Sequence, residues 1–146
     1  MIILEIKECM KNKKFEDALN LIEVIPKNYL TSEFYLLKGI CIQLADNKNY
    51  KLSDAENSFH KALEIEPNNS DVKLELAWLY FNVLDEPKKA EKYFKEALEN
   101  NRLKLVESIE GIVKIALDTD KYTDLNRLLK DYSNLILSDS KIESLM

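Results

Sequence analysis

The stretch KLSDAENSFHKAL (51–63) decides how this chain folds, because it returns 35 residues later as EPKKAEKYFKEAL (86–98). In each copy a small residue, Ala55 or Ala90, is followed four positions on by a phenylalanine, Phe59 or Phe94. Three further on comes a second alanine, Ala62 or Ala97. Residues at i and i+4 lie on one face of an α-helix. The small member lets another helix come close, and the large member fills the gap that this leaves. Two fainter copies flank the pair. KFEDALNLIEVI (14–25) carries Ala18 and Ile22, and KYTDLNRLLKDY (121–132) carries Leu125 and Leu129. The small-position residues Ala18, Ala55, Ala90 and Leu125 are 37, 35 and 35 apart.

A further helix precedes each of the last three copies: SEFYLLKGICIQLA (32–45), NSDVKLELAWLYFNVL (69–84) and RLKLVESIEGIVKIAL (102–117). Gly39, Ala77 and Gly111 hold equivalent places in them, 38 and 34 residues apart. A glycine inside a helix costs about 1 kcal/mol relative to alanine, which points to close packing against the partner helix. The apolar residues recur at three and four, not at two, so no strand is expected. The pattern predicts an all-α chain of eight helices, at about 2–12, 15–25, 31–45, 52–65, 70–83, 87–99, 103–117 and 121–137. Ser53 with Glu56 has the spacing of a capping box. Asn69 or Ser70 is placed to cap the fifth helix. Pro87 fits a first helical turn, and Pro67 ends the helix before it. Residues 46–51 are the one long polar connection, and 138–146 read as a frayed tail on a single domain spanning 1–146.

Composition removes many functions. The chain has 146 residues, 46% hydrophobic and 32% charged, which is ordinary globular material of about one domain. Two glycines cannot supply a glycine-rich phosphate loop or a dinucleotide fingerprint. One histidine and two cysteines are too few for a structural zinc site, and no cofactor is expected. The formal charge is −5, with 10 basic and 12 acidic residues in 1–73 and 11 and 14 in 74–146. No basic stripe suits nucleic acid or an anionic membrane. The N-terminal MIILEIKECMKNKK is interrupted by Glu5 and Lys7 and is not a signal peptide. No stretch reaches the ~20 apolar residues of a membrane span. Cys9 and Cys41 therefore read as free thiols of a cytoplasmic protein.

The chemistry-bearing residues do not assemble into a catalytic set. His60 lies at the edge of an outer helix face, with no acid or nucleophile placed beside it by spacing. Glu64 and Glu66, like Asp118 and Asp120, stand two apart at helix ends, and such pairs do not face each other. The chain is not expected to be an enzyme. Lys88, Lys92 and Lys95 share a solvated helix face with Glu91, Glu96 and Glu99 nearby.

With helix pairs repeating at about 34 residues, the sequence resembles the tetratricopeptide repeat family. Ala55, Phe59, Ala62 and Pro67 match the second half of that family's pattern. Ala90, Phe94 and Ala97 match it again, with Asn101 or Arg102 where proline would stand. Leu76, Ala77 and Tyr80 match the first half, Gly39 and Gly111 its small position, and Tyr35 its leading aromatic. The resemblance is close over 52–99 and fainter towards both ends. Gly39 to Ala55 is 16 residues where the family has 12, which lengthens the turn around Asp46–Lys51. The resemblance implies a right-handed superhelix of antiparallel helix pairs, a TPR-like α-solenoid, whose first helices line a concave side.

Independently of any family, residues 70–84 carry two apolar stripes where a surface helix needs one. Val72, Leu76, Leu79, Tyr80 and Val83 form the first, and Leu74, Trp78 and Phe81 the second. Leu36 and Ile40, with Ile112 and Ile115, hold matching places in the neighbouring first helices. Together these would floor an apolar groove with polar contacts from Gln43 and Asn82. Where some members of the family grip a partner's carboxylate with basic residues, this chain has Leu36, Ile40, Leu74 and Trp78. An apolar or amphipathic helix of another protein is the expected occupant, in the manner of an adaptor or scaffold. An inhibitor or immunity-type protein is the other reading, covering a basic cleft with Glu107, Glu110, Asp118, Asp120 and Asp124. Leftover apolar residues in the end helices, Ile2, Ile3, Ile6, Leu128, Ile136 and Leu137, would also suit a homodimer.

Overall fold

The computed structural model describes residues 1–45 and 49–119, with side chains through residue 105, and the separate positions 126, 127, 130 and 131. Among the described residues all regular structure is helical: α1 (Ile2–Lys11), α2 (Phe15–Glu23), a single 3-10 turn at Lys27–Tyr29, α3 (Ser32–Leu44), α4 (Leu52–Ile65), α5 (Ser70–Asn82) and α6 (Pro87–Thr119). The chain divides into two compact units, Met1–Asn101 and Arg102–Met146.

In the first unit each helix from α1 to α5 packs on the next in the chain. Cross-helix contacts set the direction of the pairs. Ser32, at the start of α3, donates from Oγ to the Ala62 carbonyl near the end of α4 at 3.0 Å. Lys73, early in α5, meets Glu96, in the third turn of α6, at 3.2 Å. Both pairs are antiparallel. The core runs through all of them and holds Ile6, Ala18, Leu19, Ile22, Cys41, Ala55, Phe59, Ala62, Val72, Leu76, Leu79 and Ala90.

The repeated small positions are where the helices touch. Ala18, Ala55, Ala77 and Ala90 are buried. Gly39 shows why size is limited: a Cβ there would lie 2.5 Å from Cε1 of the Phe59 ring. Phe59 is itself fully buried, so the i+4 aromatic of α4 occupies the space that the missing side chain of α3 leaves.

Turns and caps follow local chemistry. Past α1, Lys13 has φ 59°. The Lys13 and Lys14 amides return to the Met10 and Cys9 carbonyls at 2.9 and 2.8 Å, the paired closure of a left-handed helix end. Asp85, with φ 52°, turns α5 into α6, where the Glu86 amide reaches the Tyr80 carbonyl at 2.8 Å. The connection from α3 to α4 is longer than either, from Leu44 to Leu52, as the extended Gly39–Ala55 spacing requires. The Asn69 side chain accepts from the amides of Asp71 and Val72 at 3.1 and 3.2 Å, and Pro87 opens α6.

Two expectations are corrected. The capping box of α4 does not use Ser53 and Glu56. The capping residue is Lys51, two positions before Ser53, and Asp54 accepts from the Lys51 amide at 2.7 Å, which frees Glu56 for a contact with α5. The eight-helix count also changes. Residues 87–99 and 103–117 were expected to be two helices, but α6 runs unbroken through 99–103. The reason is local. The equivalent boundary between α4 and α5 has Pro67-Asn68-Asn69, whereas here the chain reads Glu99-Asn100-Asn101-Arg102, with no proline or glycine to stop a helix. The eighth expected helix, 121–137, lies outside the described residues apart from the four positions named above, and 138–146 lie wholly outside them.

Candidate functional site

α5 has more apolar surface than its own core contacts use. Val72, Leu76, Leu79 and Tyr80 are buried, as the first stripe predicts, while Val83 falls just beyond the helix end and is exposed. The second stripe faces outward: Leu74 is half-buried, Trp78 is 49% exposed and Phe81 is 54% exposed.

A pocket of about 350 Å³ opens at these two aromatics, closed on its other side by Pro87, Ala90, Glu91, Phe94 and Lys95 of α6. Trp78 is held edge-on by Phe94, with ring centroids 4.8 Å apart at 79°, and meets Phe81 at 6.2 Å and 68°. Such edge-to-face pairs contribute about 0.5–1.5 kcal/mol beyond area burial, and they orient the indole at the mouth of the pocket. One turn past Phe94, Leu98 is 70% exposed and extends the apolar surface along α6. Charge is confined to the rim, where Lys95 Nζ pairs with Glu91.

The other residues expected in the groove fall differently. Leu36 and Ile40 of α3 are half-buried and pack on the core. Gln43 is half-buried and Asn82 exposed. The side chains of Ile112 and Ile115 lie outside the described residues. So do those of the acidic set Glu107, Glu110, Asp118, Asp120 and Asp124. Sequence periodicity marked Trp78 and Phe81 as a second apolar stripe but gave no sign of the α6 wall. Phe94 had been read only as a packing residue, and Leu98 carried no distinguishing signal.

A polar cluster joins α4, α5 and α6 beside the pocket's helices. Tyr80 donates to Glu56 Oε1 and lies 3.4 Å from His60 Nε2, and Tyr93 stacks on it at 5.7 Å. Burial, then the bond to Glu56, pushes the Tyr80 phenol up. A second cavity, of about 340 Å³, lies between Tyr35, Lys38, Tyr50 and Lys61. At its edge Lys38 and the Tyr50 hydroxyl both bind Glu23. That holds the Glu23 carboxyl below its ordinary value. The Tyr50 phenol is pushed up to about 12, mainly by burial. Cys9 and Cys41 are free thiols, Cys41 buried, and burial pushes its thiol up to about 12. Among the described residues no three His, Cys, Asp or Glu side chains group to hold a metal. No described helix is long and apolar enough to cross a membrane.

Stacked antiparallel helix pairs with small residues at their contacts define a helical-repeat architecture. Direct comparison supports this reading: residues 47–107 match the family model of the tetratricopeptide repeat. The matched segment covers α4, α5 and the first part of α6, including the whole pocket. No curated protein and no solved structure matches the chain. Tetratricopeptide repeats are modules of protein–protein interaction.

Proposed function

We propose that the chain is a non-enzymatic adaptor or scaffold module that holds another polypeptide at the pocket formed by Trp78 and Phe81 of α5 and Phe94 of α6. The observation that carries this is the half-exposed pair Trp78 and Phe81 beside a preformed, almost wholly apolar pocket. Aromatic residues seated in pockets dominate the energetics of protein interfaces. An apolar helix face suits the surface better than an extended acidic peptide, because the nearest cation, Lys95, is already paired with Glu91. Leu74, on the same stripe of α5, extends the proposed surface, and two free thiols suit a reducing, cytoplasmic setting.

Partner capture by the native protein and by a Phe81→Lys variant tests the proposal, with thermal unfolding measured on both. Phe81 is exposed enough for the variant to fold. Loss of a partner by the folded variant is the expected result. A folded variant that retains every partner overturns the site. Raising salt should weaken capture only slightly, because no cationic cluster floors the pocket.

A further inference from the structure

The polar cavity between α3 and α4 lacks something that the next helix pair has. An offset of 38 in the first helices, as from Gly39 to Ala77, places Lys73 where α3 has Tyr35. An offset of 35 in the second helices, as from Ala55 to Ala90, places Glu96 where α4 has Lys61. In the later pair these side chains close on each other: Lys73 is buried and meets Glu96 at 3.2 Å. In the earlier pair the acid has become a lysine and the lysine a tyrosine. The Lys61 ammonium lies 5.7 Å from the centre of the Tyr35 ring, and a cavity of about 340 Å³ opens beside it. A ring face attracts an ammonium less strongly than a hydrogen-bonded carboxylate does.

Several polar groups around this cavity are already committed. Lys38 and the Tyr50 hydroxyl bind Glu23. Ser58 donates to the Asp54 carbonyl at 2.8 Å, and the Asp54 carboxylate accepts from the Lys51 amide at 2.7 Å. Among the described residues, the Lys61 ammonium and the Asn57 amide have no hydrogen-bond or ion-pair partner. Both line the cavity and are exposed. They stand four apart on α4, so they share one face of the helix. An ammonium and an amide N–H side by side match the two oxygens of a carboxylate. Asp54, one turn before Asn57, opposes a second negative charge, so a phosphate dianion fits less well. Every residue lining the cavity belongs to the first unit.

We propose that the cavity between α3 and α4 is a carboxylate-binding site, in which Lys61 and Asn57 hold the anion beside Tyr35. The ligand supplies the charge that Glu96 supplies in the next pair. The site shares no residue with the Trp78 pocket and goes beyond the binding of a polypeptide there.

Titration of the full chain with sodium acetate, followed through amide chemical shifts, tests it. Sodium chloride at equal ionic strength is the reference, because salt alone screens exposed charges. The expected result is a shift at Tyr35, Asn57 and Lys61 that saturates with acetate and not with chloride. One exposed ion pair supports a Kd on the order of 1 mM. Lys61→Gln should weaken binding about tenfold or more. Asn57→Glu keeps Lys61 but gives it an acid at i−4, and should weaken binding by about as much. Lys88→Gln removes the same charge from another helix and should change nothing. Circular dichroism confirms that each variant is folded. Benzoate and N-acetylglutamate amide then separate the sources of the carboxylate. Tighter binding of benzoate names a small organic acid, and tighter binding of the capped glutamate names an acidic side chain of a polypeptide. Chloride shifts equal to the acetate shifts, or acetate binding that survives Lys61→Gln and Asn57→Glu, overturns the proposal.

Discussion

Gly39 ties residue chemistry to the fold most tightly. Alanine there gains about 1 kcal/mol of helix propensity, but its Cβ would sit 2.5 Å from the Phe59 ring. A fully buried ring has nowhere to move, and overpacking costs about 1–3 kcal/mol. Gly39→Ala should therefore lower stability by about 1 kcal/mol net, and the loss should shrink in a Phe59→Leu background, as denaturant titration of the double-mutant cycle would show. Lys13 has the opposite fault, a side chain in a left-handed turn at φ 59°. Lys13→Gly should raise the melting temperature, with a gain of about 1 kcal/mol. Glu23 gives a pH dependence. Its folded carboxyl is held below the usual 4.5, first by Lys38 and then by Tyr50. The stability it contributes is present above its unfolded value and is lost as pH falls through the lower folded value. Glu23→Gln should flatten acid unfolding curves in that window only, and by a small amount, because the side chain is half exposed. Small positions were legible in the sequence because the alanines repeat. The Tyr80–Glu56–His60 cluster was not, because it depends on the rotation of α5 against α4.

At the scale of elements, local and long-range signals agree for α2 to α5 and conflict at α6. The Ala77–Gly111 spacing calls for a reversal near residue 101, while the residues there carry no helix stop. The continuous α6 follows the local chemistry, so periodicity alone found the repeat but not its last boundary. Arg102 stands where the preceding repeat has Pro67. Arg102→Pro should end α6 a residue or two earlier, since a proline inside a helix costs about 3 kcal/mol or more. Ellipticity at 222 nm should fall, and unchanged ellipticity would show that 99–103 tolerates a turn. The candidate site follows the same division. Trp78 and Phe81 were legible as a surplus stripe on one helix, but the wall that makes them a pocket belongs to the next helix, where Phe94 and Leu98 look like any repeat residues.

For the whole molecule, stacking makes stability uneven along the chain. Each pair of a repeat array is held by its neighbours, and an uncovered face leaves its helices to open locally. α3 and α4 have α2 on one side and α5 on the other, and they hold Cys41, Ala55, Phe59 and Ala62 fully buried. The 87–99 part of α6 is covered on its α5 side through Ala90 and Ala97, while Leu98 and the Phe94 edge face outward. Amide hydrogen exchange should therefore be slowest in α3 and α4 and faster in 87–99, although both are regular helix. Equal protection from α1 through residue 99 would mean that the first unit opens as one block.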